Sequence, residues 1–324
     1  MSEFPDGLEP FLEHAGWGGA TVVPLPGDAS FRRYFRIHRN GETAMLMHAP
    51  PPEEDPRPFL YVARWLDEHG MRAPRIIAER AQEGWVLTED FGEQRMREWL
   101  DEYPEQEQSI YAAAVDSLVE LHRKPPGSFE PYDMATYQRE AGLLTEWYCP
   151  AAGLSVDEEA YAAAWRSVLE PLLARQKPGV TVLRDYHAEN IMLPPDGTQG
   201  LIDFQDALIG HRAYDLVSLL QDARREVSLE LERAMLDRYC EAVGADSEFE
   251  ADYARLGAQR NAKIVGIFTR LAKRDGKPRY LELNPRVWAA MERDLRHPAL
   301  GPVARWFDAN IPQDLRDRCG ETVS

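Results

Sequence analysis

The chain has 324 residues, room for one large domain or two moderate ones, and a hydrophobic fraction of 44% that can supply a substantial core. Its net charge of −18 counts against nucleic acid and anionic membrane as partners, since both demand clustered cations. No unbroken apolar run reaches bilayer length, the acidic Met1-Ser2-Glu3-Phe4-Pro5-Asp6 lacks the parts of a signal peptide, and the widely spaced Cys149, Cys240 and Cys319 suit neither a disulfide framework nor a zinc site, so the expectation is a cytoplasmic monomer.

In chain order, residues 8–15 read as a short helix. Thr21-Val22-Val23 reads as a strand that runs into the polar turn Gly27-Asp28-Ala29-Ser30. Residues 33–37 alternate as a strand and 43–47 make another, with Asn40-Gly41 between them as a strong hairpin signal. Pro50-Pro51-Pro52 breaks regular structure, residues 58–69 are helix-like, and Gly70 ends them. Residues 75–78 and 85–88 complete a small antiparallel sheet with one inserted helix, assigned to a domain at 1–91. From Gln94 the character changes. Residues 107–123, 133–148, 157–175, 212–225, 228–243, 249–272 and 285–295 read as helices, giving a second domain at 92–324. The fold class is therefore α+β and bilobal, with a small antiparallel β lobe, a larger mainly helical lobe, and ligands expected in the cleft between them.

Among those helices lies Leu183-Arg184-Asp185-Tyr186-His187-Ala188-Glu189-Asn190, followed by two short apolar runs. Ile191-Met192-Leu193 and Gly200-Leu201-Ile202 read as strands around the turn Pro194-Pro195-Asp196-Gly197. In an antiparallel hairpin, Asn190 entering the first strand lies beside Asp203 leaving the second. An amide oxygen and a carboxylate there can hold Mg²⁺, a hard cation that prefers oxygen. Asp185, just upstream, can accept a proton from a substrate hydroxyl. These are the working groups of a phosphoryl-transfer site, whereas solvated carboxylates on a surface hairpin are the bland alternative.

The spacing Asp185-x4-Asn190 with Asp203-Phe204-Gln205 resembles the kinase catalytic loop and metal-binding motif. With Ala213-Tyr214-Asp215-Leu216 it resembles the aminoglycoside-phosphotransferase-like branch of the protein-kinase fold. More narrowly, the chain is similar to the anomeric N-acetylmuramate/N-acetylglucosamine kinases of cell-wall recycling. Residues 27–36, Ala49-Pro50-Pro51, and the runs at 266–271 and 274–281 carry that match. The resemblance implies an ATP- and Mg²⁺-dependent kinase that phosphorylates a small sugar. Asp185 would deprotonate the acceptor, and Asn190 and Asp203 would bind Mg²⁺. Gly27, Asp28, Ala29 and Ser30 would cover the nucleotide phosphates, Glu89, Asp90 and Phe91 would form the adenine hinge, and Asp215 would tie its helix to the catalytic loop.

Two departures from the pattern stand out. The lysine usual on a small-lobe strand should fall near Met47, yet the first lysine in the chain is Lys124. Arg32, Arg33 and Arg36 are the candidate replacements on the nucleotide side, against the reading of a solvated basic strand. Leu183 stands where a histidine often precedes the loop arginine, and the two departures together keep a nucleotide-binding pseudokinase open. The short connection from Asp203 to Tyr214 favours a small acceptor over a peptide. Arg184, Gln205, Asp206, Glu146, Trp147 and Arg260 are candidate acceptor contacts. Trp147, at helical spacing, reads more often as core, and Asp206 equally as an ion-pair partner. A same-fold kinase for an aminoglycoside, choline or homoserine is the alternative acceptor reading.

Overall fold

The computed structural model describes residues 4–26 and 31–321. Its elements begin with α1 (Leu8–His14), β1 (Thr21–Pro24), β2 (Arg33–Arg39), β3 (Glu42–His48), α2 (Arg57–Glu68), β4 (Ile76–Arg80) and β5 (Trp85–Glu89). Then come α3 (Met96–Glu102), α4 (Glu107–Arg123), α5 (Met134–Ala141), a π-helical turn Leu144–Tyr148, the single turn α6 (Cys149–Ala151) and α7 (Glu158–Arg175). Four short strands follow, β6 (Val180–Val182), β7 (Ile191–Met192), β8 (Gly200–Leu201) and β9 (Leu208–Gly210). The chain closes with α8 (Ala213–Leu220), α9 (Leu229–Val243), α10 (Phe249–Lys273), α11 (Asn284–Leu295), α12 (Gly301–Asn310) and α13 (Gln313–Asp317). Among the described residues no helix is long and apolar enough to cross a membrane. The chain divides into two compact units, Met1–Trp99 with Asn190–Asp206, and Leu100–Glu189 with Ala207–Ser324.

The first unit is built on an antiparallel sheet in the order β1-β2-β3-β5-β4. The Asn40-Gly41 signal is a true hairpin turn. Both residues have positive φ, 51° and 83°, as the twist-matched two-residue turn requires, and Arg39 pairs with Glu42 across it. Alternation then sorts the strands. Phe35, Ile37, Ala44, Leu46, Trp85 and Leu87 pack on Leu8, Phe11 and Leu12 of α1. On the opposite face Met47, Ala49 and Val86 pack with Leu60 of α2, flanked by Tyr34, Phe59 and Ile76.

The hairpin β7–β8 groups with this sheet unit, whereas the sequence boundary at residues 91/92 places it with the helices. Three contacts hold it there. The Leu201 amide donates to the Arg72 carbonyl at 2.8 Å, and the Leu193 amide to the Gln94 carbonyl at 2.8 Å. The Phe204 ring stacks on Phe59 of α2 with centroids 5.2 Å apart. Gly200 is required at this contact, because a Cβ there would run into the Phe91 ring.

The second unit is organised on α10, whose residues from Phe249 to Leu271 are nearly all buried. Gly266, part of the family pattern, lets α10 approach the backbone of Leu143 more closely than any side chain would allow. The helix expected at 133–148 is interrupted. α5 stops at Ala141 and the chain continues through the π turn, a widening that periodicity does not encode. The helix expected at 212–225 ends at Leu220, because Asp222 leaves the helical path to accept the amides of Ala188 (3.2 Å) and Arg224 (2.8 Å). The pairing of β6 with β9, and the helices α3 and α12, were not anticipated.

Candidate active site

Asp185 lies in the second unit, on the loop between β6 and β7. Asp215, in the first turn of α8, accepts hydrogen bonds from the amides of Leu183 at 2.6 Å and Arg184 at 2.8 Å. This is the tie that the sequence pattern implied. Burial pushes the Asp215 carboxyl up to about 7, against the pull of those two amides. Arg184 has φ of 73°, a left-handed conformation uncommon outside glycine, and the surroundings fix it there. The Ser218 hydroxyl donates to its carbonyl at 3.2 Å. The Arg184 guanidinium pairs with Glu140 and lies 5.7 Å from the Tyr132 ring.

The loop thus presents Asp185 among cations. Burial alone would raise its carboxyl, but Lys263, His187, Arg260 and Arg184 outweigh burial and hold it below the ordinary carboxylate range. Lys263 is the residue that sequence reading missed. It sits on α10, 3.1 Å from Glu140 and 3.4 Å from the Tyr214 hydroxyl, and no motif marks it. Arg260, a candidate acceptor contact, is instead 4% exposed and donates to Ser218 Oγ at 2.7 Å. Arg260 and Arg184 are both fixed beneath the loop backbone. Glu146 is exposed and lines a depression with Gln138, Arg139 and Trp165, and Asp185 is not among the residues lining it. Trp147 beside it is half-buried, with its indole nitrogen in the interior.

The metal-ligand candidates belong to the first unit. Asn190 and Asp203 flank β7–β8 as the hairpin argument requires, Asn190 Nδ2 standing 3.3 Å from Asp203 Oδ2. Gln205, a candidate acceptor contact, donates to Asp203 Oδ1 at 3.0 Å. Asp206 is exposed. No set of three or more His, Cys, Asp or Glu side chains among the described residues is grouped to hold a metal ion. An amide and a carboxylate side by side are nevertheless a fit for Mg²⁺, which retains water and takes further oxygens from a phosphate.

The other nucleotide-side candidates in this unit have defined partners. Glu89 makes a two-pronged pair with Arg72 at 2.7 and 2.8 Å. Asp90 takes Arg36 Nε at 2.7 Å and the Gly92 amide at 2.9 Å. Phe91 lies under the Arg72 guanidinium, 4.6 Å away. The side chains expected at the hinge thus brace the segment. Arg33 lies over the Phe35 ring at 5.2 Å, on the α1 side of the sheet. Gly27, Asp28, Ala29 and Ser30 lie outside the described residues.

Residues 21–258 match the phosphotransferase enzyme family. The chain is 34% identical to an N-acetylmuramate/N-acetylglucosamine kinase of Caulobacter vibrioides, over 94% of this chain and 96% of that one. It is 36% identical to the N-acetylmuramate/N-acetylglucosamine kinase of Pseudomonas aeruginosa, over 92% and 91%. Among solved structures, the choline kinase LicA from Streptococcus pneumoniae superposes with a TM-score of 0.61 at 12% identity, covering 94% of this chain and 98% of that one. ADP-bound aminoglycoside phosphotransferase APH(2″)-Ib does so with a TM-score of 0.60 at 14% identity, covering 92% and 98%. Those likenesses show the protein-kinase-like fold. The chain belongs to the phosphotransferase enzyme family.

Proposed function

We propose that this phosphotransferase moves the γ-phosphoryl group of ATP to the anomeric hydroxyl of N-acetylmuramate or N-acetylglucosamine, as a cytoplasmic monomer serving peptidoglycan recycling. The observation that carries the chemistry is Asp185, a half-buried carboxyl kept ionised by surrounding cations on a loop pinned by Asp215. The acceptor rests on relatives of that name matched over nine-tenths of each chain.

In this reading Asp185 accepts the proton of the attacking hydroxyl, and its lowered pKa keeps it ionised, and so able to take a proton, at neutral pH. Asn190 and Asp203 would hold Mg²⁺, which would offset charge on the phosphate oxygens. Glu140, Ser218 and Arg260 keep the loop in its left-handed turn.

The test is ADP release from Mg-ATP with N-acetylmuramate, N-acetylglucosamine, glucose, choline and kanamycin. Release confined to the two N-acetylated sugars is expected. Release with choline or kanamycin would discard the acceptor while keeping the chemistry. Lys263→Met is a second test. Removing the cation that does most to lower it raises the Asp185 carboxyl, so the acid limb of kcat/KM against pH moves to higher pH. An unmoved limb would separate Lys263 from the base.

A further inference from the structure

The strand position that would carry the small-lobe lysine is Met47, and β2 pairs with β3 so that Tyr34 faces Met47 directly. Side chains of Arg32, Tyr34 and Arg36 follow on the Met47 face by alternation, while Arg33 turns to the other. Arg36 is committed to the segment after β5. Its Nε meets Asp90 at 2.7 Å, Nη2 donates to the Gly92 carbonyl at 3.1 Å, and the guanidinium also pairs with Glu93. Arg32 is differently placed. Its Nε meets Glu54 Oε2 at 3.2 Å, and the two side chains are only 17% and 16% exposed. Glu54 Oε1 accepts the Phe31 amide at 3.3 Å, so one carboxylate grips both the backbone and the guanidinium at the entry to β2.

The line of groups continues inward. The Tyr34 hydroxyl lies beside the Arg32 guanidinium on this face. Glu54, Arg32 and Tyr34 thus form a run of polar groups within the first unit, the unit that also carries the proposed metal pair. A guanidinium held in place by a carboxylate is an oriented, charged donor for phosphate oxygens. Nε on Glu54 also orients the planar fork of donors, which binds phosphate with fixed geometry.

We infer that Arg32, held by Glu54, replaces the missing lysine as the cation for the outer phosphates of a nucleoside triphosphate. The inference rests on the kinase reading but not on the identity of the acceptor. Glu54 is a positioning residue, and Arg36 belongs to the hinge.

The experiment is equilibrium binding of ATP and AMP to the full chain with Mg²⁺ and no acceptor. Arg32→Gln keeps a donor for Glu54 but removes the charge. It is expected to weaken ATP by about ten-fold or more, the scale of a lost charge-assisted hydrogen bond, and AMP by less than about two-fold. Arg32→Lys should recover part of the loss, and Glu54→Gln should show a smaller ATP-selective loss. Arg36→Ala should change the two nucleotides alike. Equal losses of ATP and AMP in Arg32→Gln, no loss of either, or an ATP-selective loss confined to Arg36→Ala would overturn the assignment. So would a wild-type chain that binds ATP no better than AMP. Because no acceptor is present, a wrong sugar assignment leaves this readout intact.

Discussion

Asp185→Asn is expected to bind Mg-ATP as the wild type does and to lose about 10²–10⁴-fold in kcat, the usual worth of a positioned general base. The substitution changes no volume. The loop geometry that presents position 185 comes from Asp215, Ser218 and the Arg184–Glu140 pair, none of which is altered. What disappears is the ability to take a proton. The competing view is that Asp185 only neutralises Lys263, Arg260 and Arg184. That view predicts a stability change with little effect on kcat, so thermal melts belong beside the kinetics. A carboxyl held below its ordinary range stabilises the fold above its unfolded-state pKa and loses that contribution as pH falls through the folded one. Melting temperatures of wild type and variant should therefore differ at neutral pH and converge in acid. Full single-turnover activity in the variant would remove Asp185 as base, whatever the melts show.

Features of this molecule whose cause is local were legible in the sequence. Asn40-Gly41 carries its own turn, and the alternation of Phe35, Ile37, Ala44 and Leu46 declares a sheet face. The pair Asn190 and Asp203 was legible because a short hairpin fixes which residues meet. Features set by distant partners were not. Which arginine replaces the lysine depends on Glu54, 22 residues from Arg32, and on Asp90, 54 residues from Arg36. Arg260 reads as a substrate contact until Ser218, 42 residues away, is seen to receive it. Lys263 gave no signal at all, since a lysine in a long helix is ordinary until Glu140 and Asp185 surround it. β6 and β9 were missed for another reason, because three residues are too few to show a period.

Asp203→Asn is expected to abolish the Mg²⁺ dependence of ATP binding and to lower turnover by more than about 10–100-fold, the loss seen when even an outer partner of a metal is removed. Asparagine is the informative substitution because Asp203 has φ of 60°. Alanine there would add the strain of a left-handed non-glycine residue, roughly 1–2 kcal/mol, and blur a metal effect with a folding effect. Asparagine tolerates that conformation and keeps an oxygen and similar bulk beside Asn190 and Gln205. Only the charge is lost, and a hard divalent cation discriminates sharply between a carboxylate and an amide. Titrating ATP with and without Mg²⁺ gives the ratio of the two affinities, a quantity insensitive to how well the adenine end binds. A ratio well above one in the wild type and near one in Asp203→Asn places the ion on this hairpin. A ratio unchanged by the substitution would place it elsewhere and leave Asp203 with the bland role of an exposed acid at a strand end.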